Sequence, residues 1–219
     1  MKKILPSIIA LLSVLMCNGV NAEDLAHDDF SDGTTLGWGK GKDAGLPVTI
    51  EEEADGNKYI KLVSEGATSE HADKKVVFFR EGGKWRGNFN SKGVTAISAR
   101  FKNMGDEPLE MHVSFGNTLA DLRTRYVVIK GVIIPNDGEW HDAVFSMALD
   151  GFQMVPLGGH GKSSATFSPK ETLGNIKEIK FTTGTLGVDY GDRRGPYNGF
   201  TGSPELVAEL WIDDIKLIK

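Results

Sequence analysis

Past its first two dozen residues, the chain carries its apolar side chains in short runs rich in Val, Ile and Phe, separated by Gly, Asn, Asp and Pro. Leu109-Glu110-Met111-His112-Val113-Ser114-Phe115 places an apolar residue at every second position. A strand with that pattern turns one face to a core and shows Glu110, His112 and Ser114 on the other. Thr95 to Phe101 alternates in the same way, so pairing of these two segments would set Arg100 and His112 on one outward face. The pattern predicts strands over Leu25–Phe30, Val48–Glu52, Tyr59–Val63, Val76–Arg80, Thr95–Lys102, Leu109–Phe115, Arg125–Lys130, His141–Met147, Ile176–Thr182 and Val207–Leu217. About ten short strands with turn residues between them predict an all-β, two-sheet antiparallel sandwich.

Asn103-Met104-Gly105-Asp106 and Pro135-Asn136-Asp137-Gly138 supply residues that preset turns or tolerate positive φ, and the first reads as a hairpin connection. Two longer, less regular stretches are expected as loops: Leu149–Thr172, with glycines around His160, and Gly184–Pro204, with Tyr190, Arg193, Arg194, Tyr197 and Phe200. Loops of that length in a sandwich tend to carry function.

The N-terminus changes the picture of where the protein works. Lys2 and Lys3 precede an apolar run from Ile8 to Met16, and the small-residue site Val20-Asn21-Ala22 follows. This three-part pattern is a secretory signal peptide, expected to be cleaved after Ala22. The run is well short of the roughly 20 residues that cross a bilayer. A lipoprotein signal through Cys17 is disfavoured because Met16 stands where a small residue is wanted. Residues 1–22 are therefore read as a leader and residues 23–219 as one domain, secreted or periplasmic. That domain contains no cysteine, so apolar burial must stabilise it without disulfides. Loss of Lys2 and Lys3 takes the formal charge from −5 to −7. An acidic domain is a poor partner for nucleic acid or an anionic membrane, and neutral glycans remain compatible with it.

Asp29-Phe30-Ser31-Asp32-Gly33-Thr34-Thr35-Leu36-Gly37-Trp38, followed by Gly56-Asn57-Lys58-Tyr59-Ile60-Lys61-Leu62, resembles the opening of galactose-binding-like jelly rolls, including carbohydrate-binding modules appended to xylanases. Gly138-Glu139-Trp140 leading into His141–Met147 resembles their tryptophan-led penultimate strand, and Trp211-Ile212-Asp213-Asp214-Ile215 resembles their closing strand. The chain is also similar to uncharacterised exported bacterial proteins with the same opening and closing strands. The resemblance implies a jelly-roll β-sandwich and glycan binding, and jelly rolls host many other roles as well. It further implies a structural calcium ion between the chain ends, with Asp29, Asp32, Asp213 and Asp214 at the matching positions. Ser31 stands where the related modules commonly place an acidic ligand.

Catalytic patterns are weak. The acidic run Glu51-Glu52-Glu53-Ala54-Asp55 lacks the Glu-x-Asp-x-x-Glu spacing of jelly-roll glucanases and reads as a solvated strand end. The five histidines show no zinc-ligand spacing, and Ser163 and Ser164 lack a nucleophile elbow. Sugar binding needs aromatic planes and side chains that hydrogen-bond hydroxyls. The candidates for that work are Trp85 in a glycine-rich loop, Arg100, His112, Arg125, Tyr126, Tyr190, Arg193 and Tyr197, with Trp38, Trp140 and Trp211 assigned to the core. The leading expectation is a non-catalytic exported glycan-binding or cell-envelope protein, for neutral or acidic polysaccharide. Two alternatives stay open: a polysaccharide lyase or hydrolase acting on the concave sheet through His112, Tyr126 and an arginine, and a periplasmic or matrix protein-interaction domain.

Overall fold

A computed structural model of the chain describes residues 25–40, 48–65, 77–81, 83–119, 122–155, 167–183, 185–186, 200–201 and 207–219. In chain order the strands are β1 (His27–Asp28), β2 (Trp38–Lys40), β3 (Thr49–Glu52), β4 (Lys58–Glu65), β5 (Val77–Glu81), β6 (Ala96–Asn103), β7 (Leu109–Leu119) and β8 (Leu122–Val128). They continue as β9 (Val132–Ile134), β10 (Trp140–Ser146), β11 (Phe152–Val155), β12 (Glu178–Thr183), β13 (Thr185–Leu186), β14 (Phe200–Thr201) and β15 (Val207–Ile218). Two short α-helices, α1 (Phe89–Lys92) and α2 (Pro169–Leu173), and 3₁₀ turns at Gly83–Trp85 and Leu149–Gly151 complete the described elements.

One sheet runs β10-β6-β15-β4-β3 with β1 added beside β15, and the other runs β11-β8-β7-β12-β5-β2 with β9 added beside β7. Among the described residues every strand pairing is antiparallel, and β13 pairs only with β14. The predicted jelly-roll sandwich is therefore the fold. One local expectation fails: β6 and β7 do not pair, because Asn103-Met104-Gly105-Asp106 carries the chain from one sheet to the other. Asn103 turns the corner, its buried amide donating to the Glu107 carbonyl at 2.8 Å while its own carbonyl accepts from Gly105 N at 2.9 Å. By contrast, β3 and β4 do form a hairpin, closed where Gly56 takes φ +90° and donates to the Glu53 carbonyl.

The two inner faces meet in a core of fully buried side chains. Phe101 and Phe145 from the six-stranded sheet enclose Phe181 from the seven-stranded one, at ring separations of 5.5 and 5.8 Å. Burying such a side chain contributes about 1.5–3 kcal/mol, which suits a domain without disulfides. The helices were absent from the sequence expectation, although their caps are plain in the chain. Asn88 accepts from Ser91 N at the start of α1, and α2 opens with Pro169 inside a Ser168/Glu171 capping box.

Candidate functional site

On the outer face of the seven-stranded sheet, polar side chains cross adjacent strands in register. Gly116 of β7 lies opposite Arg125 of β8 on one side and Glu178 of β12 on the other. With no side chain between them, Arg125 and Glu178 reach across it: the guanidinium Nε donates to Glu178 Oε1 at 2.9 Å and Nη2 donates to the same oxygen. A Cβ on Gly116 would meet Glu178 Oε1 at 2.8 Å and Cγ at 2.9 Å, so the missing side chain is what makes room for the pair. The next rows bring Val127, Ser114 and Lys180 abreast, then His112 and Thr182, with Gln153 of β11 opposite Val127. His112, Ser114 and Thr182 are buried although they point away from the core.

His112 is 1% exposed. Its Nδ1 donates to the Val128 carbonyl at 2.9 Å, and Nε2 stands 3.4 Å from Glu110 Oε1. Gly131 passes close by, where a Cβ would meet Glu110 and His112 at 2.7 Å. Exposed Ile129 and Ile133 border this end, Ile133 lying opposite Glu110.

The candidate residues do not all gather here. Arg125 and His112 do. Tyr126 alternates to the core side, opposite Phe115, where it is buried and its hydroxyl donates to the Phe167 carbonyl at 2.6 Å. Burial raises its pKa, so the phenol stays protonated. His112 and Tyr126 thus face opposite sides of one sheet and do not form the base-and-phenol arrangement imagined for a lyase. Arg100 belongs to the other sheet. Trp85 is 1% exposed and offers no open ring face. Tyr190, Arg193 and Tyr197 lie outside the described residues.

The aromatic residues that reach an outer face are ones the sequence reading assigned to the core. Trp140 and Trp211, both partly exposed, stand on the outside of the six-stranded sheet beside buried Tyr59. Strand alternation carries the signal, since Ala143 and Phe145 point inward from β10 and Leu210 and Ile212 from β15, leaving Trp140 and Trp211 on the opposite side. Their surroundings are already occupied. Tyr59 stacks on Trp211 at 4.3 Å and 19°, the Lys102 ammonium lies 4.7 Å from the Trp211 ring centre, and the Arg100 guanidinium lies 5.1 Å from that of Trp140. Trp140 Nε1 donates to Glu53 and Trp211 Nε1 to Glu209, each at 2.7 Å. Burial, with the carboxylates of Glu51, Glu53 and Glu209, pushes the Tyr59 pKa up to about 12. The cluster is an ordered outer layer whose polar atoms are matched internally.

The chain ends meet at a third place. Buried Asp28 accepts from the indole nitrogens of Trp38 at 2.8 Å and Trp85 at 2.6 Å through one oxygen, and pairs with Lys84 through the other at 2.6 Å. That bond explains why a tryptophan in a glycine-rich loop is buried: its one polar atom has a partner inside. Nearby, an open depression of about 350 Å³ is bordered by Asp29, Ser31, Gly56, Asn57, Lys58, Arg100, Asp213 and Asp214. Three of the four aspartates expected to hold calcium border it, while Asp32 does not. Each of the four already has at least one oxygen engaged. Asp29 and Asp32 cap turns, accepting from Ser31 and Thr34, and Asp214 pairs with His27 at 2.6 Å and Lys216 at 2.7 Å. Asp213 is buried, accepts from Asp214 N at 2.7 Å and lies 3.8 Å from Arg100. Burial raises its pKa despite those contacts, whereas the bonds from Lys216 and His27 to Asp214 outweigh burial and lower that of Asp214. Among the described residues no three carboxylate or imidazole side chains gather as a metal-binding group.

Solved structures share this architecture. A family 11 carbohydrate-binding module from Clostridium thermocellum, in complex with a β-1,3-1,4-mixed-linked tetrasaccharide, superimposes with a TM-score of 0.53 at 15% identity, covering 89% of this chain and 96% of that one. The fold is that of carbohydrate-binding modules. The CBM22-1 xylan-binding domain of Paenibacillus barcinonensis Xyn10C matches this jelly roll with a TM-score of 0.50 at 13% identity, covering 90% of this chain and 96% of its own. A CBM28 module specific for non-crystalline cellulose also gives 0.50, at 10% identity, over 88% and 92% of the two chains. At such identities the likeness is one of fold. No family model matches the chain, and no curated protein matches it. No helix among the described residues is long and apolar enough to cross a membrane.

Proposed function

We propose that the chain is an exported, non-catalytic glycan-binding module that holds its ligand on the outer face of the seven-stranded sheet. The observation that carries this reading is the Arg125–Glu178 pair spanning Gly116. It sits amid a row of polar side chains that cross adjacent strands on that face. Sugar hydroxyls are bound by such fixed arrays, in which a charged group presents several directional donors or acceptors at once. Exposed Ile129 and Ile133 at the border offer apolar contact for the C–H faces of a pyranose chain. Both cations and carboxylates line the face, so neutral and acidic polysaccharides are both suitable ligands. The modules of like fold support the class of ligand, since their ligands are a mixed-linkage tetrasaccharide, xylan and cellulose. Export rests on the leader pattern of residues 1–22.

The test is retardation of the purified protein in gels containing neutral or acidic polysaccharides, using mature material whose N-terminus is expected at Glu23. We expect saturable binding to at least one polymer, weakened about tenfold or more by Arg125→Met, because truncating one partner of a hydrogen-bonded charge pair removes its directed donors. No binding across the panel, or full affinity in the Arg125 variant, defeats the reading.

A further inference from the structure

We infer that the clasp between the two chain ends is closed by the protein's own cations and takes no calcium, a departure from what the jelly-roll resemblance implies. The argument is one of charge and donor type. Asp29, Asp213 and Asp214 bring three negative charges to the depression, and Lys58 and Arg100 bring two positive ones into the same lining. Lys216, paired with Asp214 at 2.7 Å, supplies a third. The formal charge is thereby balanced before any ion arrives.

Calcium needs six to eight oxygen ligands at about 2.3–2.6 Å. Arg100 and Lys58 are donors only and present no lone pair to a cation. The Arg100 guanidinium, 3.8 Å from Asp213, stands beside the carboxylate that the resemblance makes a calcium ligand, and a divalent ion there would be repelled by it. Lys58 Nζ donates to the Ser31 carbonyl at 3.3 Å, tying up a backbone oxygen of the opening loop. Ser31, standing where the related modules commonly place an acidic ligand, donates through its backbone N and its hydroxyl to one oxygen of Asp29. Asp28, the acid of β1, has its carboxylate engaged by Trp38, Trp85 and Lys84. The side chains therefore join β1 and β6 to β15, and β4 to the opening loop, by ion pairs and hydrogen bonds, at the place where an ion would otherwise join them.

Calorimetric titration with calcium chloride and thermal unfolding of the purified protein in calcium or in EGTA test this. Calcium is raised to about 5 mM, above the 10⁻⁴–10⁻³ M range of extracellular sites. The wild type should give no saturable heat and melt within about 1 °C in either buffer, well below the shift a kilocalorie of binding would produce. Arg100→Gln should gain a calcium-dependent rise in melting temperature that EGTA reverses, because it trades the guanidinium for an amide oxygen and leaves the carboxylates in excess. Lys58→Gln, which leaves the Arg100–Asp213 contact in place, gives a second reading if the Arg100 variant does not fold. Saturable, EGTA-reversible calcium binding by the wild type overturns the inference. So does the absence of any calcium response in both variants, since the cations would then not be what keeps the ion out.

Discussion

The two outer faces of this sandwich make opposite use of the same side-chain chemistry. On the six-stranded sheet, aromatic rings and charges are arranged for one another: Lys102 and Arg100 lie against Trp211 and Trp140, and Glu53 and Glu209 take the indole protons. On the seven-stranded sheet, a glycine opens a gap in β7 and an ion pair bridges it. Exposed aromatic residues are the usual first guess for sugar binding, and here they are the closed face. The difference teaches that a ring's neighbours, more than its presence on a surface, decide what it can do.

The largest expected effect separates stability from binding. Trp211→Ala removes a ring that stacks on Tyr59 and receives Lys102, and should cost about 2–3 kcal/mol, somewhat less than the loss of a fully buried tryptophan. Urea unfolding would show this as a lower midpoint with an unchanged slope. Affinity for any bound polysaccharide should stay the same. A loss of affinity at unchanged stability would reverse the roles assigned to the two faces.

Gly116→Ala perturbs the seven-stranded face instead. Its Cβ would fall on Glu178, whose flexible side chain must swing away from Arg125. Destabilisation of about 1–2 kcal/mol is expected from the crowding and the broken pair, together with weaker polysaccharide binding. Retained affinity would mean that the bridged pair is scaffolding alone.

Much of the fold could be read from the sequence because alternation over seven or more positions is hard to produce by chance, as in Leu109–Phe115. What alternation cannot say is which sheet a strand joins. The Asn103–Asp106 turn has the residues of a hairpin but crosses between sheets, and that placed Arg100 beside His112 in the sequence reading when they lie in different sheets. Strands of three residues, such as β2 and β9, are too short to show a period. The site was legible only in part. Arg125 and His112 were found, and Tyr126 was misplaced by one alternation step. Trp140 and Trp211 were given to the core as aromatic residues at strand positions, although the parity of their neighbours puts them outside. Gly116 gave no sign, because a glycine in a strand acquires meaning only when the cross-strand partners are known.

The smallest expected effect concerns pH and tests how tightly the closed face is closed. Glu53 is partly buried, which raises its pKa, but the bonds from Lys102 at 2.8 Å and Trp140 at 2.7 Å outweigh that and hold it below its ordinary value of 4.5. A carboxylate whose pKa is lower in the folded chain than in the unfolded one contributes stability that is fully present above 4.5 and lost as pH falls through the folded value. Glu53→Gln keeps an acceptor for the indole and removes the titration. Wild type should therefore exceed the variant by less than about 1 kcal/mol at neutral pH, as suits a partly exposed pair. The gap should hold constant down to about pH 4.5 and then narrow with further acidification. Denaturant unfolding of both proteins from pH 7 to pH 3 reads that gap directly. A gap that widens in acid would show that Glu53 is protonated more readily in the folded chain, and that the cations of this face are not directed at it.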